Sequence, residues 1–174
     1  MPPAAEFRVH GEAMRTVTLR VGELARWPSH RAEVTFSCLT SGAQHHVFTG
    51  PLLRDVLTTF CPGVRTARRK ERSRLLVAVT GRDCHQAVVA WAETDPEFGN
   101  APILLAATLD GRSLESGGCQ LVVPGDACGA RYVSSVTGIW IGAHAFAGPT
   151  RDPRDTATGD EPPAGPAWPA RSGS

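Results

Sequence analysis

Short runs that alternate between hydrophobic and polar residues dominate the start of the chain and predict β-strands. Residues 7–20 alternate but are interrupted near Gly11, which predicts two short strands rather than one. Residues 32–38 alternate and are rich in β-forming side chains, and residues 44–48 repeat the pattern after a Ser-Gly pair. We therefore expect a hairpin whose first strand ends at Cys38.

Two nearby segments have helical rather than strand spacing. Residues 21–27 predict one or two helical turns, which Pro28 ends because proline lacks the amide hydrogen that continues a helix. The apolar residues within 52–57 recur at helical spacing, which predicts a helix with one buried face. We expect Thr49 or Gly50 to cap this helix, since the proline that follows suits the first helical position.

The second half of the chain contains further short apolar runs. Residues 75–91 predict a hairpin, and residues 102–108 predict a strand or a buried turn, followed by an Asp-Gly pair typical of hairpin turns. Residues 120–123 and 131–141 predict the last two strands. Many short strands with few helices are typical of a β-rich α+β domain.

Two segments of the chain are predominantly polar. Residues 64–74 contain six cations and one acid, a composition typical of a solvated, mobile loop. Residues 148–174 contain ten prolines or glycines among 27 positions, so they lack the apolar surface that would offset the entropy of ordering them. We expect a single domain over residues 1–147, followed by a disordered tail.

Composition and charge exclude several classes of protein. The length of 174 residues suits one domain, and the formal net charge of +1 gives no global field that would attract nucleic acid or a membrane surface. No apolar run approaches the ~20 residues of a membrane span, and the N-terminus lacks the basic start and apolar run of a secretory signal. We therefore expect a cytoplasmic protein that binds neither nucleic acid nor membranes.

The cysteines do not form a recognisable framework, but one of them has a notable position. The chain has five cysteines, an odd number without any CxxC spacing, so we expect neither disulfides nor a structural zinc site. Cys38 ends a predicted strand, from which a thiolate can enter a cleft and bind a soft metal or act as a nucleophile. The alternative is that Cys38 is a small buried residue that fills space.

A second candidate is the sequence Asp83-Cys84-His85 at the predicted hairpin turn. Neighbouring strand residues point to opposite faces, so Cys84 and His85 cannot pair with each other. A nucleophilic cysteine–histidine pair would require the fold to bring a cysteine against a histidine from elsewhere. The histidines available for this are His45, His46 and His85. Alternatively, Asp83 simply stabilises the turn.

A third candidate lies between the last two predicted strands. A strand over 121–123, a loop that contains Gly129, and Arg131 follow one another here. Backbone N–H groups and a guanidinium can converge in such a segment and form a cradle for an anion. The alternative is that Arg131 forms an ion pair with a nearby acid.

Several modest motifs follow one another in a fixed order over residues 6–142. They are FRVHG at 7–11, VTFSC at 34–38, FTGPLLRDVL at 48–57, LVVPG at 121–125 and GARYVS at 129–134. This order resembles the molybdopterin-binding domain of the sulfite oxidase-like oxidoreductases, in a short stand-alone form. The resemblance implies a β-rich α+β fold of the sulfite oxidase type that holds a pterin cofactor in a cleft.

The resemblance also implies a chemistry and a set of site residues. Cys38 matches the cysteine that ligates molybdenum in the family, and Arg131 matches a basic residue on the phosphate side of the pterin. Gly129, Asp83 and His85 lie within the matching motifs, and we place them in the candidate cofactor site together with His45 and His46. The cofactor would transfer an oxygen atom or two electrons to or from an unknown small substrate, and a separate partner would exchange the electrons.

Three positions depart from the pattern of the family. Gln120 stands where the family commonly has arginine, Ser134 where it has a lysine that faces the cofactor phosphate, and Glu115 adds an acid near an expected anion. Since arginine and lysine are the natural partners of phosphate, these changes leave a second hypothesis open. In that hypothesis the protein keeps the fold without the cofactor and uses its cleft for small-molecule binding or non-redox catalysis.

Overall fold

The computed structural model describes residues 5–12, 14–38 and 42–143, with Cys38 described by its backbone. The described residues belong to one compact unit that spans Met1–His144. The predicted tail, 148–174, lies outside the described residues, so its disorder stays a prediction.

Short strands account for most of the regular structure. In chain order they are β1 (Glu6–Gly11), β2 (Met14–Arg20), β3 (His30–Cys38), β4 (Gly42–Gly50), β5 (Leu75–Gly81), β6 (Gln86–Ala90), β7 (Leu104–Ala106), β8 (Thr108–Leu109), β9 (Arg112–Ser113), β10 (Gln120–Val122) and β11 (Val136–Ala143). The α-helices are α1 (Leu53–Phe60), α2 (Gly63–Thr66), α3 (Arg69–Arg72) and α4 (Trp91–Thr94). Two 3-10 helices cover Val21–Arg26 and Gly129–Arg131.

The strands form three sheets. One has the order β2-β1-β11-β5-β6, in which β1 and β11 are parallel and the other pairs antiparallel. A second, antiparallel sheet has the order β3-β4-β8-β9, and β10 pairs with β7 in a third. The two strands predicted around Gly11, the hairpin whose first strand ends at Cys38 and the hairpin within 75–91 are confirmed.

Alternation along the strands builds the core. Phe7 and Val9 of β1, Val77 and Val79 of β5, and Ile139 of β11 are all buried, while the residues between them are more exposed. Strand residues two positions apart point to the same face, so one face of the five-stranded sheet is apolar. This face joins a continuous hydrophobic cluster with the buried residues of the other sheets and of α1.

The predicted start of the first α-helix is wrong. Thr49 and Gly50 do not cap it but complete β4, which pairs with β3 up to Gly50, and α1 begins only at Leu53. A Cβ atom on Gly50 would lie 2.1 Å from the Leu105 carbonyl oxygen. Position 50 therefore needs glycine, while pairing with β3 and the hydrogen bond from the Ala107 N–H to the Thr49 carbonyl keep residues 49 and 50 extended. The helix α1 still buries the expected face.

The prediction that residues 64–74 form a mobile loop is also wrong. Most of this segment is folded into α2 and α3, and Arg72 is a buried residue. Arg72 Nη1 lies 2.6 Å from the Asp95 carboxylate, and Arg72 Nη2 forms an ion pair with Glu97. The acids that order this basic run are therefore distant in sequence, where a count of local charges does not include them.

The last strand begins later than its apolar pattern suggests. Residues 129–131 form a 3-10 helix, and β11 starts at Val136 rather than at Arg131. Ser135, immediately before the strand, has a φ of 49°, a left-handed conformation that a continuous strand does not contain. The residues between the 3-10 helix and β11 thus form a loop, and this loop contributes to the candidate site.

Candidate functional site

The loop 124–135, which contains the second 3-10 helix, contacts two other segments. They are the last residues of β3 and the turn between β5 and β6. Ser37 of β3 forms a parallel backbone bridge with Cys128 of this loop. Cys38 is the next residue after Ser37, so it lies one position from this backbone contact with the loop. Across the hairpin, Cys38 pairs with Gly42.

Phe36 holds the loop against the hairpin. Its ring centroid lies 4.8 Å from that of Tyr132 and 6.1 Å from that of His46. A Cβ atom on Gly129 would lie 2.8 Å from Phe36 Cε2, so position 129 needs a residue without a side chain for this packing. Gly129, which the sequence suggests for the cofactor site, thus allows the loop to approach the hairpin.

His46 lies on the same side of the hairpin as Phe36, where its orientation is fixed by an acid. Its Nδ1 donates to the Asp110 carboxylate over 2.8 Å, and the other Asp110 oxygen accepts from the Val47 N–H. The backbone hydrogen bond from Val47 and the hydrogen bond from His46 lower the pKa of Asp110. His46 is therefore held by an ionised carboxylate in a rigid position.

His45 points to the opposite face of the hairpin. Its Nδ1 lies 2.9 Å from the Thr35 hydroxyl, and its Nε2 lies 3.2 Å from the Glu33 carboxylate. Successive strand residues alternate in direction, so the adjacent histidines cannot serve the same cleft. The structure thus groups His46 with Phe36 and places His45 away from that group.

The turn between β5 and β6 joins the site through His85. Asp83 Oδ1 accepts from the His85 backbone N–H over 3.0 Å, as expected of an aspartate that stabilises a turn. His85 Nε2 lies 3.0 Å from the Ala130 carbonyl oxygen and must be the donor, because a carbonyl only accepts. Cys84 is exposed in the turn with a φ of 66°. His85 therefore ties this turn to the 3-10 helix of the loop.

Arg131 lies between two carboxylates. Its Nη2 is 2.7 Å from Asp126 Oδ1, and its Nη1 is 3.0 Å from Glu93 Oε2. These hydrogen bonds raise the pKa of Arg131 above its usual value, and the strongest cause is the hydrogen bonding that Arg131 donates to Asp126. The alternative expected from the sequence, an ion pair with a nearby acid, describes this geometry. Both carboxylates compete with any anionic ligand for the guanidinium.

The positions that depart from the family pattern lie apart from one another. Gln120 is half-buried on β10 opposite Ala106. Glu115 accepts the Ala5 N–H at its backbone carbonyl, and its carboxylate lies next to Gly22 in the first 3-10 helix. Ser134 is exposed and lines a hollow beside the turn between β5 and β6.

This hollow is lined by a basic residue, Arg82, that the sequence analysis did not identify as a candidate. It measures about 290 Å³ and is lined by Arg82, Asp83, Ser134 and Ser135. The only signal for Arg82 in the sequence is a single arginine in a short polar turn, which is common and unspecific. Among the described residues the structure contains no group of three or more His, Cys, Asp or Glu side chains that could hold a metal ion.

Comparison with known proteins adds a family and a fold. The sequence model of the family described as "oxidoreductase molybdopterin binding domain" matches residues 2–150. Among solved structures, the sulfane dehydrogenase SoxCD from Paracoccus pantotrophus matches with a TM-score of 0.57 and 18% identity, over 79% of this chain and 38% of that chain. This chain therefore spans well under half of SoxCD, and the likeness concerns the fold. No curated protein sequence matches.

Proposed function

The chain belongs to the oxidoreductase molybdopterin-binding domain family, and from this premise we propose that it is a molybdopterin-dependent oxidoreductase with Cys38 as the protein ligand of molybdenum. The observation that carries the proposal is the place of Cys38. It ends β3 next to Ser37, whose backbone contacts the loop that contains Gly129 and Arg131. A thiolate there suits a soft metal.

The hollow beside the turn between β5 and β6 fits the polar end of such a cofactor. It is lined by Arg82, Asp83, Ser134 and Ser135, and the guanidinium and the two serine hydroxyls can donate hydrogen bonds to a phosphate group. Gly129 leaves room for close packing of the loop on Phe36. When bound, the cofactor supplies oxygen-atom or two-electron transfer on a small substrate. The residues of this chain bind and orient it.

Besides Gly129, we assign different roles to the five other residues suggested for the cofactor site. His85 and Asp83 position the turn beside the loop, and His46 supports the hairpin through Phe36. Arg131 is paired with Glu93 and Asp126. It contacts the cofactor phosphate, as predicted, only where the phosphate displaces one of these carboxylates or shares the guanidinium with it. The contacts of His45 favour a role in hairpin stability.

The substrate and the redox partner are proposed from the class of chemistry. A two-electron reaction at a small domain needs a substrate that reaches the metal and a separate protein that exchanges electrons with it. No helix within the described residues is long and apolar enough to cross a membrane. The expected cytoplasmic location stays a prediction.

A specific observation favours the second hypothesis, a family member that works without the cofactor. Arg131 is neutralised by Asp126 and Glu93, and the hollow beside the turn between β5 and β6 contains the carboxylate of Asp83. A protein that binds a neutral or cationic small molecule in the cleft would retain these acids.

The test is the molybdenum-to-protein ratio, measured by elemental mass spectrometry together with pterin fluorescence after oxidation, in full-length protein from a host that makes molybdopterin. We expect about one molybdenum per chain and its loss in Cys38→Ser, because serine offers no soft sulfur ligand. Cys61→Ser, at the end of α1, is the matched control and should retain the metal. Folded wild-type protein without metal or pterin would support the cofactor-free hypothesis instead.

A further inference from the structure

The hollow beside the turn between β5 and β6 has the composition of an oxyanion site. Within the described residues, the Arg82 guanidinium has no hydrogen bond or ion pair, and the same holds for the hydroxyls of Ser134 and Ser135. A guanidinium and two hydroxyls can together donate several hydrogen bonds to one tetrahedral anion. Free donors of this kind are what a phosphate group needs.

The walls of the hollow are fixed relative to each other by backbone contacts. The Arg82 N–H donates to the Ser135 carbonyl over 3.0 Å. A Cβ atom on Gly81 would lie 2.7 Å from the Ser134 carbonyl oxygen, so the two segments approach as closely as a glycine permits. The backbones of the three donor residues are therefore held together, although Arg82 is about fifty positions from the two serines in sequence. A backbone held in this way lowers the part of the entropic cost of binding that would come from ordering the two segments.

The carboxylate of Asp83 limits how strongly the hollow attracts an anion. One of its oxygens is satisfied by the His85 N–H. Its negative charge still offsets the positive charge of Arg82, so the net charge of the side chains that line the hollow is zero. Binding must therefore depend on directed hydrogen bonds and on Arg82 in particular, and removal of the Asp83 charge should strengthen it.

We propose that this hollow binds a phosphate group, and that Arg82 is the residue on which binding depends. The assignment of that phosphate to the terminal group of a pterin cofactor rests on the proposed function; binding of free phosphate does not. Arg82 thereby supplies, from the turn between β5 and β6, the cation that the loop 124–135 does not offer, because Arg131 is held by two carboxylates.

The first experiment uses full-length protein without cofactor, titrated with inorganic phosphate and followed by backbone amide NMR shifts. We expect shifts centred on residues 82, 134 and 135. Arg82→Ala should weaken binding by about tenfold or more, since a charge-assisted hydrogen bond is lost. Asp83→Asn, which keeps an oxygen acceptor for the His85 N–H, should tighten it. Arg15→Ala, an exposed cation on β2 at the opposite edge of the same sheet, should leave binding unchanged.

A second arm separates the two possible sources of phosphate. Pterin and molybdenum content are measured in wild type, Arg82→Ala and Arg82→Gln from a host that makes molybdopterin. Loss of pterin in both variants, with unchanged thermal stability, supports cofactor anchoring. A different result is also informative: phosphate binding depends on Arg82, but no pterin is found in any sample. This result would support the hollow as a phosphate site and refute the proposed function. Phosphate shifts that Arg82→Ala does not reduce would overturn the proposal.

Discussion

Arginine 131 shows how a residue can match a functional motif and still contribute chiefly to structure. Its guanidinium joins Asp126 in its own loop to Glu93 in α4, and it is one-third exposed, with a side-chain accessibility of 33%. The pairing connects the loop to the helix that follows β6. The same residue type with a free guanidinium, Arg82, occurs in the turn between β5 and β6. Motif position and availability for binding are thus separate properties.

We expect Arg131→Ala to lower the free energy of unfolding by about 1 kcal/mol, because two partly exposed carboxylates lose their shared partner and solvent screens part of the effect. Urea denaturation measures this, with Arg112→Ala, an exposed cation on β9, as the control. Unchanged stability combined with a loss of cofactor would instead assign Arg131 to the cofactor.

Cys119 differs in reactivity from the exposed cysteines. Burial raises its pKa to about 12, so at pH 8 almost none of it is the nucleophilic thiolate. Iodoacetamide at pH 8, followed by peptide mass spectrometry, should modify Cys84 and Cys128, which are exposed, and leave Cys119 unmodified until urea is added. Equal labelling rates for Cys119 and Cys128 in the folded protein would contradict this placement.

At the scale of the elements, the basic segment of α2 and α3 is fastened by one buried ion pair. The side chains of Arg72 and Asp95 are 10% and 3% exposed, and Asp95 also accepts from Trp91 Nε1 over 2.9 Å. Replacement of one partner leaves a buried charge without its counterion, which is far more costly than the loss of a surface pair.

We therefore expect Arg72→Met to lower the free energy of unfolding by about 3–5 kcal/mol. Arg69→Met is the matched control, since Arg69 pairs with Glu97 at the surface, with side chains 74% and 43% exposed, and should cost below about 1 kcal/mol. Urea denaturation measures the free energy of unfolding of both variants. Similar decreases in the two variants would show that the Arg72–Asp95 pair is not effectively buried.

Elements with a local cause were predictable from the sequence. Alternation alone located β1, β2 and the β3–β4 hairpin, because one face of each is buried. The order of α3 depends on acids more than twenty residues away, and the extended backbone at Thr49 depends on its pairing with Thr108. No pattern within a short window contains such information.

At the scale of the whole molecule, the expected sulfite oxidase-type fold is confirmed by the family match and by the likeness to SoxCD. The sequence also located the end of β3 as the place of Cys38. It did not separate His45 from His46, whose surroundings differ only because strand residues alternate. It did not find Arg82 either, because the hollow forms only when the turn at 82 meets the loop at 134–135.

The parallel pairing of β1 with β11 has a consequence for synthesis. β11 lies between β1 and β5, and it is the last described strand to emerge from a ribosome. Until then the β1–β2 and β5–β6 hairpins each have an unpaired inner edge, and such edges invite association between nascent chains. A polypeptide that ends before residue 136 would leave both edges open, so β11 protects strands that are synthesised long before it.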